Sequence, residues 1–312
     1  MKKWLAQLVL FFIFAACVYS VSIYIVGKYG TDGFKKNLLS EINYGHTNSR
    51  LIEIKKTKNI DFLFLGSSHV YRGFDTRIFA TKGYTSFNLG SSSQTPIQSL
   101  FLLKRYLKAV NPKIVLFEVN PELLAADGVE SELDIILNDQ ILFDNFIAFG
   151  NSGNVKIFNT LIFTSLDKKL NDRAKQPIIQ GDDTYVPGGY VEKKLVFNTK
   201  KQDFKPKTWV FQKKQLKAID AICALCAKHS TELILVYAPI NKSLYASWRN
   251  NKQFCDLMKT KGKFINGNHR SSLNDSLDFY DELHLNQNGV KSYNNDLINT
   301  LQKLTIVKKL SL

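Results

Sequence analysis

Four short apolar runs, each closed by a turn, constrain the fold of this 312-residue chain more than any other feature. Residues 60–65 run into Gly66-Ser67-Ser68, and a weaker run over 84–89 ends at Gly90. Residues 113–119 end at Asn120-Pro121, and 232–237 end at Ala238-Pro239. Between them lie segments of helical spacing: Leu100, Leu103, Tyr106 and Leu107 within 97–110, and Leu216, Ile219, Ile222 and Leu225 within 212–229. A last helix is expected over about 288–304. Strands without an exposed polar face need cover on both sides, so the alternation predicts an α/β domain with a parallel sheet between two helical layers. Residues 127–208 break this rhythm and are expected to form an insertion or cap on a domain that spans 58–312. No internal repeat interrupts the chain.

The amino terminus adds a second element. After Lys2 and Lys3, Trp4 to Val26 carries no charge. As a helix it would rise about 34 Å, enough for the hydrocarbon core of a bilayer. It is also longer than the apolar stretch of an ordinary cleaved leader. The two lysines keep that end cytoplasmic, so residues 1–27 read as a single-pass membrane anchor, 28–57 as a connector, and the rest as extracytoplasmic. Cleavage after Ala15-Ala16, or lipidation at Cys17, are the alternatives.

Apolar residues make up 45% and charged residues 22%, which excludes general disorder. The formal charge is +15, but only seven of the 42 basic residues are Arg. A Lys-rich surface suits solvent, anionic envelope polymers or lipid head groups better than the Arg forks of base-reading proteins, so nucleic acid is not expected as a partner. Cys223 and Cys226 lie within a helical pattern, and no further ligands stand at zinc spacing. Core packing is the expected role, with a disulfide the alternative.

In an open parallel sheet, ligands bind beyond the carboxyl ends of the strands. Those ends deliver Gly66-Ser67-Ser68-His69, Asn88-Leu89-Gly90-Ser91 and Val119-Asn120-Pro121, and a later segment supplies Asp281-Glu282-Leu283-His284-Leu285-Asn286. A hydroxyl, a glycine N–H, a side-chain amide and an Asp/His pair are the parts that acyl transfer needs. Ordinary structural roles exist for each: Ser67 and Ser68 can shape a turn, Gly90 can serve a tight turn, Asn120 can precede a proline turn, and Asp281 can cap a helix. His69 is expected to pack under the turn.

Taken in order, these blocks resemble the SGNH (GDSL-like) hydrolase and acyltransferase superfamily. The resemblance covers about residues 58–125 and 210–305 and implies a flavodoxin-like α/β/α fold. Ser68 takes the nucleophile's place, Asp281 and His284 the orienting acid and base. The Ser68 and Gly90 N–H groups and the Asn120 amide take the place of the oxyanion hole. Two departures stand out: Ser67 replaces the usual Asp, and Asn120 sits in Val-Asn-Pro. The resemblance implies a serine esterase or O-acyltransferase working through an acyl-enzyme, without cofactor or metal. Anchored members of this layout modify envelope polymers. The expected partners are therefore an acylated envelope glycan or other envelope ester as substrate, the membrane through the first helix, and a membrane-bound acyltransferase. A catalytically silent binding or scaffolding subunit of an envelope modification complex is the alternative from a different class.

Overall fold

In a computed structural model of the full chain, residues 1–42, 44–139, 153–167, 176–199, 203–269 and 273–304 are described here. Five strands form one parallel sheet: β1 (Phe62–Leu65), β2 (Ser86–Asn88), β3 (Ile114–Glu118), β7 (Glu232–Tyr237) and β8 (Lys263–Asn266). Their order is β2-β1-β3-β7-β8. The expected parallel α/β architecture is therefore what forms, and its order is the flavodoxin-like one. The chain steps outward from β1 to β2, then crosses back to β3 on the other side. This reversal leaves a crevice at the carboxyl ends of β1 and β3, the usual ligand position in such sheets.

Burial explains why β1 and β3 show no alternation. Every residue of both strands is buried. Phe62, Phe64, Ile114, Leu116, Ile234 and Val236 share one core with Phe79 of the helix Thr76–Thr81 and with Val290, Tyr293, Leu297 and Ile298 of the helix Gln287–Lys303. Leu63, Leu65, Val115, Phe117 and Leu235, all at most 1% exposed, alternate with these and point to the opposite face. The helices Pro96–Val110 and Lys213–Lys228 pack on each other, and the second of them also covers β7. Burial of side chains of this size is worth roughly 1.5–3 kcal/mol each, so the two-faced core is the main stabilising element.

Strand and helix ends agree with the pattern to within about three residues. Two sheet elements did not announce themselves: β8, and an antiparallel sheet of β4 (Ile179–Gln180), β5 (Asp183–Val186) and β6 (Tyr190–Lys193) in the order β4-β5-β6. Both are short and largely polar. Cys226 and Cys255 are buried, and the four cysteines are free thiols.

The chain divides into two compact units: residues 1–43 with 132–174, and 44–131 with 175–312. The expected insertion at 127–208 is thus shared between them. Its stretches 140–152, 168–175 and 200–202 lie outside the described residues. In the first unit the helix Lys2–Tyr29 is long and apolar enough to cross a membrane. Near its carboxyl end Tyr24 meets Phe163 of the helix Val155–Leu166 at 6.2 Å between ring centroids, and Lys28 pairs with Asp167 at 3.0 Å. The second unit contains the parallel sheet and every candidate site residue.

Candidate active site

Gly66 turns the chain out of β1. Its φ of +145° and its closeness to the β3 neighbour explain the residue: an added Cβ would lie 2.7 Å from Glu118 Cβ and 2.8 Å from Val70 Cγ2. Ser67 follows as the N-cap of the helical turn Ser68–Tyr71, accepting from the His69 N–H. That cap points Ser67 inward, where it is 2% exposed, and leaves the next residue, Ser68, at the mouth of the crevice.

Ser68 meets the histidine of the Asp-x-x-His segment. Ser68 Oγ lies 2.7 Å from His284 Nε2, and His284 Nδ1 lies 2.9 Å from Asp281 Oδ2 and 3.0 Å from Oδ1. A loop closed like a small hairpin carries the pair. Phe279 bridges Leu285 across it, Tyr280 N–H donates to the His284 carbonyl, and Asn286 N–H donates to the Asp278 carbonyl. Asp281 Oδ1 also accepts the N–H groups of Leu283 and His284 at 2.8 and 2.7 Å. Asp281 is not the cap of the last helix; Asn286 is, accepting from Asn288 and Gly289 N–H. Burial pushes the Asp281 carboxyl up, but its bonds to His284 and to the two amides hold it below the usual carboxylate value.

The His284 ring lies between two others. Tyr280 stacks on it at 5.3 Å with an interplanar angle of 3°, and His69 stacks at 5.2 Å and 26°. Lys193 sits 5.5 Å above the Tyr280 ring. Rotation of His284 away from Ser68 would break both ring contacts.

The remaining expected residues are near the turn but engaged. An added Cβ on Gly90 would lie 2.9 Å from the Ser67 carbonyl oxygen, so the β2 end can lie against the Ser67–Ser68 turn only as glycine. The Gly90 N–H donates to Asn88 Oδ1 at 3.2 Å. Asn120 Oδ1 caps the turn Pro121–Ala125 by accepting Leu123 N–H at 3.0 Å, and Asn120 Nδ2 donates to Glu118 Oε1 at 2.8 Å. Ser68 opens its helical turn, where an N–H has no intrahelical acceptor.

Glu118 is the residue that sequence reasoning missed. It ends β3, is 1% exposed, and accepts the Ser67 N–H at 3.2 Å and the Ser67 hydroxyl at 2.9 Å on Oε2. Burial pushes its carboxyl above the usual range, against the opposing pull of the Asn120 and Ser67 donors. A strand-terminal glutamate carries no local signal; only the β1–β3 register places it beneath Ser67. His69, as expected, is buried under the turn, and its ring is held neutral, pushed down to about 3 by burial and by the neighbouring His284. Among the described residues no group of His, Cys, Asp or Glu could hold a metal ion.

No family model matches the chain, and no curated protein does. Among solved structures, it is similar to a GDSL-like lipase from Bacteroides thetaiotaomicron VPI-5482, at 11% identity and TM-score 0.40, over 84% of this chain and 100% of that one. It is also similar to a Clostridium thermocellum family 3 carbohydrate esterase, at 13% identity and TM-score 0.37, over 79% of this chain and 99% of that one. At these values the activity has to be argued from the geometry of Ser68, His284 and Asp281, which has the hydrogen-bonded form of a Ser-His-Asp triad.

Proposed function

We propose that this chain is a serine-dependent enzyme of the SGNH type that transfers or hydrolyses O-acyl groups on a cell-envelope glycan. The observation that carries the reading is the continuous path Asp281–His284–Ser68, with contacts of 2.9 and 2.7 Å. His284 Nε2 takes the Ser68 proton as Oγ attacks an ester carbonyl. Asp281 holds Nδ1–H, fixes the tautomer and stabilises the imidazolium. The tetrahedral oxyanion is received by the Ser68 N–H, joined by the Gly90 N–H and the Asn120 amide as they release their present acceptors. Collapse expels the alcohol, which takes its proton from His284 and leaves an acyl-Ser68 ester. Water or a sugar hydroxyl, deprotonated by His284, then attacks that ester and frees Ser68.

The glycan and the outward-facing placement are supported by the apolar helix Lys2–Tyr29, by the basic charge of the chain and by the family resemblance. A fluorophosphonate probe on membranes containing the full chain tests the chemistry. The wild type is expected to label at Ser68, and Ser68→Ala to abolish labelling. Absence of labelling in the wild type would favour the silent scaffolding subunit. Externally added protease should remove residues beyond the anchor in sealed cells; protection of the whole chain would reverse the topology.

A further inference from the structure

Below the triad lies a second carboxylate and imidazole that the mechanism above does not use. His69 Nδ1 is 3.1 Å from Ser67 Oγ and 3.6 Å from Glu118 Oε1. The Ser67 hydroxyl donates to Glu118 Oε2, so it can accept from His69 Nδ1–H and from the His69 backbone N–H. Glu118 thereby receives the Ser67 N–H, the Ser67 O–H and an Asn120 amide hydrogen, a donor set that suits a carboxylate. The other edge of His69 faces the Leu283 backbone within the triad loop. With Tyr293 and His284 it lines a cavity of about 10 Å³.

We propose that Glu118, Ser67 and His69 form a buried positioning relay, in which the Glu118 carboxylate orients His69 and the stacked His69 ring fixes and electrostatically supports the catalytic base His284. The inference rests on the triad reading and adds a second layer to it. Each cluster joins a carboxylate, an imidazole and a serine, and the two meet face to face at the His69 and His284 rings, 5.2 Å apart. A negative charge held there favours the imidazolium that forms as Ser68 attacks. Other charged or titratable groups lie near these rings: Asp281 on the triad loop and Glu122 after β3 act on them, and Arg72 and Tyr293 line the same cavity. None of them bridges the two imidazoles.

The test uses the full chain in detergent, with p-nitrophenyl acetate as substrate and active sites titrated by fluorophosphonate. Glu118→Gln keeps the size and removes the charge. It is expected to lower kcat per titrated site roughly tenfold to a hundredfold, within the range of general-base effects. KM should stay within about twofold, and the acidic limb of kcat/KM should move to lower pH by about one unit. His69→Phe keeps a ring against His284 but loses the nitrogen contacts, and should reproduce the kcat loss. The double variant should be no worse than either single one, because the residues act as a unit. A kcat per site and an acidic limb unchanged in Glu118→Gln would overturn the relay and leave a purely structural cluster. If Glu118→Gln does not accumulate, Ser67→Ala decides, since it removes only the hydroxyl between carboxylate and imidazole; an unchanged kcat per titrated site there overturns the relay equally. Ser68→Ala with undiminished turnover would instead overturn the triad reading.

Discussion

The turn at residues 66–69 and the loop at residues 281–284 bring their side chains to the same point by opposite means. Residues 66–69 are knitted into the core: Ser67 and His69 are buried, and Glu118 comes from 51 residues away to bond Ser67. Asp281 to His284 hold themselves together by contacts three residues apart, on a loop whose members are half-buried. The turn therefore draws its geometry from tertiary packing, whereas the loop draws it from its own backbone and is seated by the rings of His69 and Tyr280. Substitutions at the buried members of the turn, Ser67 and His69, should disturb stability and turnover together. Those in the loop that keep the backbone-accepting oxygen of Asp281 should spare stability.

The largest effect should come from removing the reacting atoms. Ser68→Ala and His284→Gln are each expected to lower ester turnover by on the order of 10⁶-fold, as loss of a triad member does. The melting temperature should change little, since both side chains sit at the crevice mouth; a large fall in melting temperature for His284→Gln would show that the loop depends on the ring for its fold. Next comes Asp281→Asn. The amide can still accept the Leu283 and His284 N–H groups, so folding is spared, but it favours the wrong tautomer and should cost about 10⁴-fold in turnover. Asp281→Ala adds a loss of roughly 1 kcal/mol from the two abandoned amides, measurable by denaturant unfolding. Equal turnover for Asp281→Asn and wild type would remove the carboxylate from the mechanism.

Gly90→Ala sharpens the contrast from the other side. Its methyl would press on the Ser67 carbonyl at 2.9 Å, a backbone atom that cannot swing away. The expected result is a stability loss of roughly 1–3 kcal/mol, as for overpacking, together with reduced turnover. A variant with full stability and reduced turnover would place Gly90 in the oxyanion hole and nowhere else.

The smallest effect is on acid stability. His69 is neutral when folded, with its ring pushed down to about 3, and ordinary when unfolded. A base whose folded value is depressed stabilises the fold fully above its unfolded value, and this is lost as pH falls from about 6.5 towards 3. His69→Phe should therefore unfold with a shallower pH dependence across that window. Parallel curves for the two proteins would mean that His69 is not desolvated under the turn.

Parts of this molecule are legible in its sequence and others are not, for definite physical reasons. β1, β3 and β7 stood out because strands buried on both faces have nearly unbroken apolar runs. Edge strand β8, Lys-Phe-Ile-Asn after Gly262, is half-exposed and has no such run. Ser68 and the Asp281–His284 spacing were readable since each is a local pattern. Tyr280 was not, because its role depends on a ring lying flat against His284.

Taken alone, the order of residues determined the alternating α/β layers and the apolar first helix, and it singled out Ser68, His284 and Asp281 as candidates. Periodicity and spacing act over a few residues, and hydrophobic burial makes them binding. Tertiary structure alone decided that Asn286 and not Asp281 caps the last helix, and that Glu118 lies beneath Ser67. Those outcomes depend on the register of β3 against β1 and on the point where the last loop closes over the sheet. Both are set by packing between residues dozens to hundreds of positions apart, over which a linear pattern carries no signal.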